Sequence, residues 1–225
     1  MKRRDFVRHG LTGLGLASLP SLTVRAATLP MAAPLPAAAP IPPGVAPLST
    51  PGAVTKSSYA PLMERARALL DANPALFPFR DRVALADFST ASHEHRFHIV
   101  DLASGQASSY LVAHGRGSDP AHSGFLQSFS NEPNSLATSE GAYATGALYM
   151  GKHGPSMRLV GLDPTNNNAD MRAIVVHGAD YVNEDHIATW GKVGRSEGCF
   201  AVATHLLPQV LGLLGPGRLL YAAKG

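Results

Sequence analysis

The 225-residue sequence is short of cysteine, having one, Cys199. A lone thiol cannot close an intramolecular disulfide, so a disulfide framework is excluded and the residue calls for another explanation. No apolar run is long enough to cross a bilayer as a stable helix, which needs about 20 such residues. There is no long charge run, no internal repeat and no HExxH-type metal helix. The formal net charge is +3, with 19 basic and 16 acidic residues. Residues 1–26 carry Lys2, Arg3, Arg4, Arg8 and Arg25 against Asp5 alone, and the remainder holds 14 basic and 15 acidic side chains, near −1. Nucleic-acid binding needs a clustered basic surface that displaces phosphate counterions. None is present, so no nucleic-acid partner is expected.

What is present falls into three segments. Residues 1–27 open with Lys2-Arg3-Arg4-Asp5-Phe6-Val7, continue with a mild apolar stretch from Gly10 to Leu22, and end in small residues at Ala26 and Ala27. A basic head with twin arginines, an apolar middle and a small-residue site is the order of a twin-arginine signal peptide. Cleavage near Ala26 or Ala27 would leave no integral membrane span, with the protein exported to the periplasm or cell wall. Residues 28–58 hold eight prolines among alanines and small polar residues. Proline fixes φ and removes a donor, so this reads as an extended, disordered linker. Residues 59–225 form one globular domain of ordinary size.

Within that domain Leu62, Ala66, Leu69 and Leu70 recur at the helical period, with Pro61 in the first turn and Pro74 beyond the end. Short strand-like runs follow at Val83–Phe88, Phe97–Leu102, Tyr110–Ala113, Ala147–Met150, Leu159–Leu162, Ala173–His177 and Leu219–Ala222. Turn residues separate them, which predicts a mainly β domain. A second helix fits Leu206 to Gly215 if Pro208 lies in its first turn.

The chemistry concentrates between Ser130 and Cys199. A thiol attacks as thiolate, so a cysteine nucleophile needs a neighbouring base or cation, and His177 at the end of an apolar run is the candidate. Gly198 permits close backbone approach, and the amides at Gly198 and Cys199 are candidate oxyanion donors.

His177-Gly178, followed by Ser196-Glu197-Gly198-Cys199, resembles the signature of the YkuD-type L,D-transpeptidases of bacterial cell walls. That signature is a histidine-glycine pair followed by serine or threonine, histidine, glycine and cysteine. Glu197 stands where the family usually has histidine, and the interval from Gly178 to Arg195 is long at 18 residues. Both features look like the murein L,D-transpeptidase catalytic domain branch. The resemblance extends through Phe129-Ser130-Asn131, Thr138 to Tyr143, Gly151-Lys152-His153-Gly154, Leu159 to Leu162 and Asn166 to Arg172, covering about Phe88 to Val210.

The resemblance implies a single β-sandwich-like catalytic domain with one or two peripheral helices. It also implies peptidoglycan stem peptides as substrate. Cys199 would attack the carbonyl preceding a terminal D-alanine and form a thioester, with His177 as base and then acid. Transfer to an amine makes a cross-link, and transfer to water makes the enzyme a carboxypeptidase. Gly178, Ser196, Arg195 and His153 are the further candidates for oxyanion or substrate contact. No cofactor is expected. Two other readings stand beside this one. His93-Glu94-His95 with His98, and a third ligand from His114 or His122, would suit a metal-dependent wall peptidase. A non-catalytic wall-binding domain is the other.

Overall fold

The computed structural model describes residues 59–225; the signal and linker expectations lie outside them. The described chain runs α1 (Ala60–Ala72), β1 (Arg82–Asp87), β2 (Phe97–Asp101), β3 (Ala107–Tyr110), β4 (Gly141–Gly151), β5 (Gly154–Gly161), β6 (Val175–Ala179), α2 (Glu184–Trp190), β7 (Phe200–Ala203), α3 (Leu207–Leu214) and β8 (Leu219–Ala223). The eight strands form one sheet in the order β3-β2-β1-β8-β4-β5-β6-β7. β1 pairs with β8 in parallel and β6 with β7 in parallel, while the other neighbours are antiparallel.

The period-2 alternation of the strands feeds two cores. On β1, Val83 and Leu85 face α1, where Leu62, Ala66 and Leu70 lie on one helix stripe. Ala84 and Ala86 face the opposite side and join a larger core. β8 divides the same way, with Leu219 and Tyr221 against α1 and Leu220 and Ala222 in the larger core. Fully burying a side chain the size of leucine or phenylalanine stabilises by about 1.5–3 kcal/mol, so a one-residue register slip of β1 or β8 would disrupt both cores at once.

The larger core takes residues from every strand, including Phe97 of β2, Tyr110 of β3, Tyr143 of β4, Met157 of β5, Val176 of β6 and Phe200 of β7. The sheet therefore curls around it and the domain is mainly β and sandwich-like, as the sequence predicts. A register shift in β4 between Thr145 and Leu148 supplies the local bend a bulge gives. An antiparallel bridge from Ala113 to Ala201 ties the chain beyond β3 to β7 at the opposite edge. α3 closes one face of this core with Leu207, Val210, Leu211 and Leu214. Its first turn holds Pro208 and it ends at Gly215, as expected.

Several details differ from the sequence reading: β3 is Ala107–Tyr110 rather than Tyr110–Ala113, β5 begins at Gly154 rather than Leu159, and β6 runs on to Ala179, so His177 is its middle residue rather than its last. β4 begins at Gly141 rather than Ala147. The four residues of β7 and the seven of α2 are additional elements. α2 buries none of its residues, so it has no apolar stripe for a sequence pattern to detect.

Candidate active site

β6 and β7 run in parallel with Val176 opposite Phe200 and His177 opposite Ala201. Val176 and Phe200 point into the larger core. Side chains alternate along a strand, so His177 and Ala201 fall on the other face, and Cys199 lies in the bend that leads into β7. His177 and Cys199 line one cleft of about 690 Å³, together with His153, Lys152, Arg172 and Tyr181.

The loop before Cys199 is held by its own backbone and by Ser196. Gly198 has φ 115°, a conformation side chains rarely adopt, and a Cβ there would sit 2.6 Å from Ala137 O and 2.8 Å from Ile174 Cδ1. Gly115 approaches from the other side, where a Cβ would come within 2.8 Å of Gly198 Cα. Ser196 is buried. Its Oγ donates to Cys199 O at 2.7 Å and accepts from Gly198 N at 3.1 Å. Its backbone N–H donates to His114 O at 2.9 Å, and Arg116 N donates to Ser196 O at 2.8 Å.

Beneath this loop lies a buried polar cluster. Arg96, 1% exposed, donates to Val112 O at 3.0 Å, Thr90 O at 2.9 Å and His114 Nδ1 at 2.8 Å. An arginine has no acceptor, so Nδ1 of His114 is unprotonated and its proton sits on Nε2, 3.4 Å from Asp119 Oδ2. Burial, with the Arg96 charge adding, lowers the His114 pKa to about 4. Asp119 in turn accepts from Ser123 N, Ser123 Oγ and Gly124 N. Each member of this cluster has a partner, which is the condition under which buried polar groups rigidify a core.

His177 is buried, and its Nδ1 lies 2.9 Å from Gly178 O. A carbonyl only accepts, so Nδ1 carries the proton and Nε2 keeps its lone pair as a base. Burial lowers the His177 pKa, opposed by the Gly178 carbonyl bond and reinforced by the charges of His153 and Lys152. Burial pushes the Cys199 thiol up, while a backbone hydrogen bond at Val175 and the charges of Lys152 and Arg172 pull it down. The thiol lies 3.5 Å from Ala173 O. Both shifts favour the neutral forms, an uncharged imidazole and an uncharged thiol, with the charges of Lys152 and Arg172 opposing at the sulfur.

The residues singled out in the sequence have distinct places. His153, at the tip of the β4–β5 hairpin, stacks on His177 with ring centroids 4.4 Å apart and an interplanar angle of 18°. Arg195 lines the cleft, but its Nη1 donates to Asp119 O and to Pro120 O. Ser196 and Gly198 shape the loop, and the Gly198 N–H is occupied by Ser196 Oγ rather than free for an oxyanion. Glu197 is paired with Arg116 at 2.9 Å, both more than half exposed. Arg96 and Asp119 are not singled out by the sequence; Lys152 and Arg172 appear there only within the resembling motifs, and His114 only as a candidate metal ligand, whereas its two ring nitrogens face Arg96 and Asp119.

The histidines proposed as metal ligands lie apart. His93 and Glu94 occupy a turn and pair with each other at 3.2 Å, so the strand alternation expected there is absent. His98 Nδ1 faces Ser109 Oγ at 2.8 Å, and His122 Nε2 lies 3.1 Å from Val193 O. Among the described residues, no three His, Cys, Asp or Glu side chains gather as a ligand set.

Comparison with known proteins adds one strong match. The family model YkuD_2, described as the L,D-transpeptidase catalytic domain, matches residues 60–223. No curated protein matches the chain. Among solved structures, an L,D-transpeptidase from Mycobacterium tuberculosis H37Rv is 13% identical, covering 64% of this chain and 58% of its own, with a TM-score of 0.38. The helical cell shape determining protein Pgp2 from Campylobacter jejuni is 16% identical, covering 76% and 57%, with a TM-score of 0.40. An L,D-transpeptidase from Xylanimonas cellulosilytica is 15% identical, covering 71% and 69%, with a TM-score of 0.37. The chain spans less than two thirds of the first two proteins' length.

Proposed function

The chain belongs to the L,D-transpeptidase catalytic domain family, and we propose that it is a cysteine acyltransferase acting on peptidoglycan stem peptides through Cys199 and His177. The observation that supports this reading is that one cleft is lined by both His177 and Cys199.

In the proposed reaction, Cys199 Sγ attacks the carbonyl carbon of the bond joining a diamino acid to a terminal D-alanine, and His177 Nε2 takes the thiol proton. The tetrahedral centre collapses, the C–N bond breaks, and His177 returns the proton to the departing amine. The acyl group is then a thioester on Cys199. An amine of a second stem peptide attacks it and loses its proton to His177, the C–S bond breaks, and His177 returns the proton to the sulfur, leaving a cross-link and a free thiol; water in the same role gives carboxypeptidase activity. Proton transfer accompanies attack because the pKa shifts of both groups favour their neutral forms. Lys152 and Arg172 favour negative charge at the sulfur as it develops. Gly178, through its carbonyl, keeps His177 in the reactive tautomer.

Ser196 and Gly198 act in this reading by fixing the loop. Arg195 fastens the loop to the Asp119 turn and presents its remaining donors to the cleft. The reading also places residues 1–27 as an export signal, 28–58 as a spacer and 59–225 as the catalytic domain, consistent with a substrate outside the inner membrane.

The test is release of D-alanine from a tetrapeptide muropeptide. Cys199→Ser and His177→Ala should each abolish release while unfolding as cooperatively as wild type. Wild-type turnover in either variant would refute the assignment.

A further inference from the structure

Three cationic side chains line the cleft, Lys152, Arg172 and Arg195, against one carboxylate, Glu197. Arg172 is committed, donating to Ser130 O at 2.8 Å, Ser135 Oγ at 3.2 Å and Ala137 O. Arg195 is held by the backbone at Asp119 and Pro120, and Glu197 is taken by Arg116. Lys152 is exposed and has no ion pair or hydrogen bond among the described residues. It sits in the hairpin connection from Gly151 to Gly154, next to His153, whose ring covers that of His177. Its charge acts on both His177 and Cys199.

That position matters for the leaving group. His177 delivers its proton to the scissile nitrogen. In a departing single amino acid the carboxylate carbon is two bonds from that nitrogen, about 2.5 Å away by standard backbone dimensions. A free terminal carboxylate must therefore lie close to His177 during bond breaking. Lysine carries a compact charge on a flexible four-carbon stem, suited to meeting a carboxylate. We propose that Lys152 binds the free α-carboxylate of the donor's terminal residue and so confines the enzyme to donors that end in a free acid one residue beyond the scissile bond. This rests on the assignment of Cys199 and His177 as the reacting pair.

The experiment compares acylation of the full chain by two donors, a tetrapeptide ending in free D-alanine and the same peptide ending in D-alanine carboxamide. The wild type should show a kcat/KM about two- to fivefold higher for the free acid, the size expected of one exposed ion pair, with most of the difference in KM. Lys152→Gln should bring the ratio close to one by slowing the free-acid donor, and Lys152→Arg should keep most of the preference. Lys152 is exposed on a hairpin tip, so both variants should fold. Equal rates for the two donors in wild type, or an unchanged preference in Lys152→Gln, would overturn the proposal. Failure of wild type to be acylated by either donor would overturn the reacting-pair assignment and this proposal together, whereas equal acylation by both removes the role of Lys152 alone.

Discussion

The imidazole of His153 lies nearly parallel to that of His177, 4.4 Å away at 18°. It reaches there from a hairpin whose β5 strand places Ser156 opposite His177. The stack fixes the plane of the proposed base from above, while the Gly178 carbonyl fixes its tautomer from the side. His153→Ala should therefore lower turnover by up to about tenfold, the scale of one aromatic contact, while His153→Phe should retain most of it. Because the His153 charge depresses the His177 pKa, either variant should move the acidic limb of the kcat/KM profile to higher pH. An unshifted limb with full activity would show that the stack is incidental.

Wild-type pH dependence follows from the same pair. His177 must be neutral to accept the thiol proton, and burial holds its pKa below the usual 6.5. Activity should therefore stay level down to about pH 6.5 and fall only below it. A profile of kcat/KM against pH checks this, and a limb above pH 7 would mean that His177 is not the group titrating.

The loop geometry predicts a sharp steric limit. Gly198→Ala must both adopt φ 115° and place a methyl against Ala137 O and Ile174 Cδ1. Turnover should be lost, with alkylation of Cys199 altered because the sulfur has moved. Ser196→Ala removes the hydroxyl that joins Gly198 N to Cys199 O and should cost about 1–3 kcal/mol of stability for the buried groups left unpaired. Urea unfolding and iodoacetamide kinetics measure both, and a Ser196→Ala protein of wild-type stability would contradict the stapling role.

Stability should fall with acid before the carboxylates titrate. His98 and His114 are both buried. Burial lowers each pKa to about 4, with His95 adding at His98 and Arg96 adding at His114. The unfolded chain protonates these rings near 6.5 and the folded one near 4, so between those values the unfolded state binds more protons. Their contribution is full above pH 6.5 and is lost as pH falls toward 4, on the order of 3 kcal/mol per histidine. Urea titrations at pH 7.5 and 5.0 should differ accordingly, and equal midpoints would show the rings titrating normally.

The legible parts of this molecule are those written in local pattern. The α1 stripe of Leu62, Ala66 and Leu70, the short apolar runs of β1 and β2 between turn residues, and the turn residues around α3 predict their elements because local composition and burial coincide there. That His177 and Cys199 line one cleft is foreshadowed by the motif that holds both residues. The buried Arg96 is not, since its partners Val112 and His114 are 16 and 18 residues away and only the β2–β3 pairing, with Phe97 opposite Tyr110, brings them near. The role of Gly198 is half legible. Its glycine signals the tight turn, but the hydroxyl that occupies its amide comes from Ser196, a local serine turn that composition alone does not distinguish from a substrate contact. The exposed α2 and the four-residue β7 give too few residues for periodicity to speak.

The proposed reaction requires a covalent bond at Cys199 Sγ. Intact-protein mass spectrometry after brief mixing with the tetrapeptide donor tests it most directly, with peptide mapping to locate any adduct. A donor acyl group lacking the terminal D-alanine, found on Cys199, absent in Cys199→Ser and released by hydroxylamine, is the result predicted. Turnover of the donor with no thioester at Cys199, undiminished in Cys199→Ser, would contradict it.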